Sequence, residues 1–167
     1  MADHALKGDI MRLHVPALAA VTVAVLVAGG VAASAGGASK SKNTRLTVQV
    51  KTKTVTLVDT GPAGASPGDM ALEDDTVTRQ GQPFGTAQFT CIAHSGNLLN
   101  GNAECTGTLY LPNGQIETQG GVTSTNGFIK GAGAVPGGTR RYHGVRGSYT
   151  FHATSPTTRV IQFKLIG

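Results

Sequence analysis

From residue 85 to the end, apolar and polar positions alternate with a period of two, as in strands that turn one face to a core. Residues 86–94 put Ala87, Phe89, Cys91 and Ala93 on one face, and residues 103–111 do the same for Ala103, Cys105, Gly107, Leu109 and Leu111. Folding the two together about Leu98 sets Cys91 opposite Cys105, Phe89 opposite Gly107 and Ala93 opposite Ala103. One register therefore aligns both cysteines, both apolar faces, and an aromatic ring with a glycine it can cover. Pro112-Asn113-Gly114 reads as a tight turn into a strand over 115–121, residues 123–127 turn again into 128–135, and Pro136-Gly137-Gly138 makes a third turn. Residues 145–153 alternate Val145, Gly147, Tyr149, Phe151 and Ala153 against Arg146, Ser148, Thr150 and His152, and residues 158–166 set Ile161, Phe163 and Leu165 against Gln162 and Lys164.

The earlier part is less regular. Residues 44–60 alternate at Leu46, Val48 and Val50, then resume at Val55 and Leu57 in the other phase, which predicts a bulge or bend within one strand. A loop with two prolines and three glycines follows at 61–68, and the acidic segment 69–80 includes a second strand. About eight short strands separated by turns, with no repeat and no helix after residue 38, predict an all-β barrel or sandwich. The expected fold is an eight-stranded antiparallel barrel, preceded by a cleavable signal segment.

That segment occupies the N-terminus. Residues 15–33 carry no charge, Lys7 and Arg12 precede them, and Ala33-Ser34-Ala35 follow. A basic flank, an apolar run and a small-x-small exit are the parts of a secretory signal. Residues 1–38 are thus expected to be a signal and linker, and 39–167 the folded domain, secreted or extracytoplasmic and free of the membrane after cleavage. Ten residues before Met11-Arg12 are unusual for such a signal, so Met11 competes with Met1 as the start. A retained membrane anchor is the alternative, because the apolar run is long enough to span a bilayer.

Composition fits this picture. Only 14% of residues are charged, glycines number 24 and Trp is absent, so the core falls to Val, Ile, Leu and a few Phe. The net charge is +5. The excess gathers at Lys40, Lys42, Arg45, Lys51 and Lys53 and again at Arg140, Arg141 and Arg146. These clusters are either solvated strand faces or a binding surface for an anionic polymer. No aromatic residues interleave with them, which argues against a nucleic-acid platform.

Three stretches carry a resemblance: the strand pair around FTCIAH and ECTGTLYLPNGQIETQG, the run VPGGTRRYHGVRG, and the terminal IQFKLIG. Together they cover about half of the chain and resemble the allene oxide cyclase and dirigent-like barrel family. The glycine-rich run is the most specific, matching at Gly137, Gly138, Thr139, Tyr142, Gly144, Arg146 and Gly147. The resemblance implies an apolar lumen that steers the cyclisation or coupling of a reactive small molecule, without a cofactor, in a homodimer or homotrimer. Holding a flexible substrate in one reactive conformation away from water requires little acid–base chemistry. Two departures bear on the reaction. Arg140 stands where the family has a fourth glycine, and residues 44–57 hold no carboxylate where plant cyclases carry one, which argues against allene oxide cyclisation itself.

Candidate chemistry is sparse. In an exported chain Cys91 and Cys105 read as a disulfide, the alternative being a free pocket thiol at Cys91, where plant cyclases also place a cysteine. His94, His143 and His152 lack metal-ligand spacing, and no metal site is expected. Asp69, Glu73, Asp74 and Asp75 are a general acid, a weak cation site or, most simply, a solvated loop. Glu104 and Tyr110 fall on the outward face opposite the cysteines, Glu117 lies on a central strand, and Arg146 is a brace for its turn through carbonyl hydrogen bonds. Phe89, Leu109, Tyr149, Phe151 and Phe163 are the expected lumen residues. Two functions follow: a barrel that binds a small apolar molecule and guides an isomerase- or cyclase-like step, or a non-catalytic envelope or matrix scaffold that binds an anionic polymer. Nothing in the residues themselves establishes that a reaction occurs.

Overall fold

The computed structural model describes residues 43–167. The signal and linker segment, the choice between Met1 and Met11, the anchor alternative, and Lys40 and Lys42 of the basic arm lie outside the described residues.

Eight antiparallel strands close into a barrel in chain order. They are β1 (Asn43–Val58), β2 (Met70–Arg79), β3 (Gln82–Gly96), β4 (Gly101–Leu111), β5 (Gly114–Thr125), β6 (Phe128–Val135), β7 (Arg146–Ser155) and β8 (Thr158–Ile166). Each strand pairs with the next, and β1 pairs with β8 from Asn43↔Ile166 to Lys51↔Thr158, which leaves the cylinder without a free edge over that span. The β3–β4 hairpin has the register its apolar faces require: Phe89↔Gly107, Cys91↔Cys105, Ala93↔Ala103.

The phase change in β1 is a bulge between Thr52 and Thr54. It keeps the apolar residues on one face, because Leu46, Val48 and Val50 point inward before it and Val55 and Leu57 pair with the inward positions Glu73 and Ala71 after it. Beyond Lys51, however, β1 has no β8 partner. Residues 54–58 rise past the barrel rim on β2 alone, leaving Val55 49% and Leu57 69% exposed.

The interior divides along the barrel axis. At the end that carries Asn43, Gly167 and the β2–β3 and β4–β5 turns, Leu46, Leu111, Ile116, Val135 and Leu165 form a packed core with Leu109 and Phe163 above them. The 136–145 connection is longer than the tight turn expected from Pro136-Gly137-Gly138. It bridges back to Ile116 through Gly138, makes one 3-10 turn at Arg140–Tyr142, and lays Val145 and Tyr142 against this core. Arg140 has a φ of 51°, a left-handed conformation that glycine adopts without steric cost. The departure from the family pattern thus places a side chain on a backbone built for glycine. Arg146 braces the same connection by donating from Nη1 to the Val145 carbonyl at 3.0 Å. Gly144 also turns with positive φ, at 76°.

Candidate functional site

The opposite half of the lumen is not filled. Beneath the β3–β4 loop lies a cavity of about 80 Å³. Phe89, Val122, Ile129, Phe151 and Ile161 form its apolar wall, with the Cys91–Cys105 disulfide set into it. Asn97 and Leu98 of the β3–β4 loop roof it, and Glu73, Tyr149 and Arg159 supply its polar groups. The disulfide joins adjacent strands across their register, so the alternative of a free thiol at Cys91 does not hold.

Small residues on neighbouring strands make room for the rings. Gly131 pairs with Phe151 and Gly133 with Tyr149, and a Cβ at either glycine would come within 2.7 Å of the facing ring. Tyr149 and Phe151 stack with centroids 6.2 Å apart, and Tyr149 reaches Phe163 at 5.8 Å. Of the five residues expected in the lumen, Phe89, Tyr149 and Phe151 line the cavity. Leu109 and Phe163 also face inward but belong to the packed half, where both are essentially inaccessible.

The main correction concerns the acidic segment, which is not a solvated loop. Only Asp69 lies in the loop, where it accepts backbone N–H groups of Ser66 at 2.7 Å and Thr60 at 3.1 Å, and these bonds hold its carboxyl below the usual range. Asp74 faces outward and accepts from Gln88 and Thr54. Glu73 and Asp75 alternate with Ala71 and Val77 on the inner face of β2 and meet Arg159 of β8 inside the barrel. Arg159 Nη2 donates to Asp75 Oδ2 at 2.5 Å and lies 2.8 Å from Glu73 Oε2, close enough for an ion pair but not aligned as a hydrogen bond. The guanidinium also stacks over Phe89, 4.6 Å from its centroid. The Asp75 side chain is 0% exposed and that of Arg159 9%.

Burial pushes the Asp75 carboxyl up to about 6; Arg159 opposes the shift, and the neighbouring Glu73 and Asp74 charges add to it. Burial likewise raises the Tyr149 phenol, against smaller opposing effects of Arg159 and Thr118. The inward phase of each member was legible by parity, though not their meeting. Arg159 shares the phase of Ile161, Phe163 and Leu165, as Glu73 and Asp75 share that of Ala71 and Val77. Polarity hid them, because isolated charged residues are ordinarily solvent-facing.

The remaining candidates lie outside the cavity. Glu104 and Tyr110 are on the outer wall, where His94 approaches Glu104 at 3.7 Å and Tyr110 donates to Gln88. Glu117, His143 and His152 are exposed. Gly137, Gly138, Thr139, Tyr142, Gly144 and Arg146 shape the 136–145 connection at the far end, and Gly147 pairs with Val135 and Leu165 beside it. Among the described residues, no group of three or more His, Cys, Asp and Glu side chains is arranged to hold a metal ion.

No family model and no curated protein matches the sequence. Solved structures do match the barrel. It is similar to a pyocyanin demethylase, at 25% identity and a TM-score of 0.62 over 73% of this chain and 99% of that one. A pterocarpan synthase dirigent protein aligns at 13% identity and a TM-score of 0.56, over 75% of this chain and 84% of its own. A Diels-Alderase from Streptomyces koyangensis aligns at 17% identity and a TM-score of 0.54, over 74% of this chain and 63% of its own. The chain therefore has the barrel fold of dirigent and cyclase proteins.

Proposed function

We propose that this chain is an exported barrel whose lumen binds a small, largely apolar molecule and guides its cyclisation or coupling. The observation that carries the reading is the half-filled interior: one half is packed with buried side chains, and the other holds an apolar cavity with rings on its walls and a few polar groups. Such a combination of apolar wall and sparse, placed polarity is typical of small-molecule sites. The similar barrels lend support of a general kind. Their names describe a demethylation, a pterocarpan synthesis and a Diels–Alder reaction, so what they share is handling of small organic molecules rather than one reaction. The enclosed volume of about 80 Å³ is below the roughly 300 Å³ at which ligand pockets usually begin, so a ligand of ordinary size enters by displacing the Asn97–Leu98 roof. Within the cavity, Glu73 and Tyr149 offer a proton acceptor and donor, and the walls exclude water from a bound intermediate. The disulfide and the signal-like N-terminus support an oxidising, extracytoplasmic location.

Native mass spectrometry of the protein secreted by its own host, without reductant, tests this reading. The expected species has lost its signal, weighs two hydrogens less than the reduced chain, and carries an adduct of a few hundred daltons that leaves on denaturation. An adduct-free barrel that takes up no small molecule and is retained on anionic polymer in a salt-sensitive way would favour the scaffold function instead.

A further inference from the structure

The charges inside the lumen do not cancel. Two carboxylates, Glu73 and Asp75, face one guanidinium, Arg159, and the cluster stands at one negative charge when all three are ionised. Two of its oxygens accept no aligned hydrogen bond although buried: Glu73 Oε2, which has only its ion pair with Arg159 at 2.8 Å, and Asp75 Oδ1. An uncompensated charge in a low-dielectric interior is costly unless a partner arrives. Glu73 and Arg159 line the cavity, whereas Asp75 lies behind Arg159 and fixes it, so the carboxylate presented to a ligand is that of Glu73.

We propose that the lumen selects a ligand with a positive charge, such as a protonated amine or an N-heteroaromatic cation, and that Glu73 is its counter-charge. The inference rests on the reading that the lumen binds a small molecule, and it adds the ligand's charge class. The walls suit such a ligand, since the Tyr149 and Phe151 rings offer cation–π and stacking contacts, while Phe89 is already engaged by Arg159. Remaining N–H groups of Arg159 can take an acceptor on the same ligand, but the sum of charges sets the preferred sign.

Three single-ring probes of similar shape separate the possibilities: N-methylpyridinium, toluene and benzoate. Binding is followed by chemical shifts of the cavity methyl groups of Val122, Ile129 and Ile161 in the oxidised protein. N-methylpyridinium is expected to bind more tightly than benzoate. In Glu73→Gln, whose cluster is neutral, its advantage over toluene should fall about tenfold. A second measurement needs no variant. Asp75 faces Arg159 from β8, Thr52 from β1 and Ala87 from β3, with Glu73 and Asp74 on its own strand and Tyr149 beyond Arg159, so protonating Asp75 also neutralises the cluster. The wild-type preference for the cation should therefore weaken between about pH 7.5 and about pH 5. Tighter binding of benzoate, or a cation-to-toluene ratio unchanged in both Glu73→Gln and the acidic buffer, would overturn the charge assignment while leaving the lumen reading intact. If none of the three probes shifts the cavity resonances, the lumen reading itself fails.

Discussion

Gly107 sits where the Phe89 ring occupies the space of a side chain: a Cβ there would lie 2.3 Å from the ring and 2.9 Å from the Gln88 carbonyl. Gly107→Ala should therefore destabilise the barrel by about 1–3 kcal/mol, the usual cost of overpacking, and urea denaturation of the oxidised protein measures it. The Arg159 guanidinium stacked on Phe89 and the core beside it hold the ring in place. Asp75 permits a second prediction at this scale. Its carboxyl is raised in the folded state to about 6 from an ordinary 3.8, so between those values the native chain keeps a proton that the unfolded chain releases. The stability it contributes is therefore fully present below about pH 4 and is lost as pH rises through about 6. Asp75→Asn keeps an acceptor for Arg159 but cannot ionise. Thermal unfolding of both proteins between about pH 4 and pH 7 should show the wild type losing stability relative to the variant as pH rises. Parallel profiles would show that Asp75 does not titrate in this window.

At the scale of elements, the β3–β4 hairpin is the most strongly specified part of the barrel. Cross-strand register, glycine placement and the Cys91–Cys105 link all select the same pairing. The link spans a sequence separation of 14 residues, a loop for which chain-entropy reasoning gives about 3 kcal/mol of stabilisation. Replacing both cysteines by alanine should lower the unfolding free energy by about that amount, read from the shift in the urea midpoint. The β1–β2 extension is specified in the opposite sense. Its bulge keeps Val55 and Leu57 in the inward phase, yet no opposing wall covers them, so apolar alternation here did not translate into burial. The loop joining β1 to β2 is held by Asp69, which closes the backbone of Ser66 and Thr60 onto one carboxylate.

At the scale of the molecule, closure makes the barrel self-sufficient. Among the described residues, the β1–β8 seam closes the cylinder around a core to which each of the eight strands gives a buried side chain. We therefore expect residues 39–167 alone to fold with the urea midpoint of the full-length chain. A lower midpoint would assign the N-terminal segment a structural role beyond that of signal and linker. Closure also explains the position of the cavity. The 136–145 connection packs against the core at one end, and at the other the cavity lies beneath the β3–β4 loop.

Alternation along the chain was enough to establish an all-β architecture, the inward face of most strands, the β3–β4 register with its cysteine pair, and the β1 bulge. These are legible because side-chain period and turn chemistry are local, and because a one-residue slip would turn every apolar group to solvent. Which of Phe89, Leu109, Tyr149, Phe151 and Phe163 border empty space was not legible, since all five share the inward parity and only packing against distant strands fills one half of the lumen. The charged cluster lies furthest from local reading. Asp75 and Arg159 are 84 residues apart and become neighbours only when β1 pairs with both β2 and β8 to close the cylinder. Parity put each of them inside, but only barrel closure set them against one another, because a buried charge is tolerated only where a partner of opposite sign meets it.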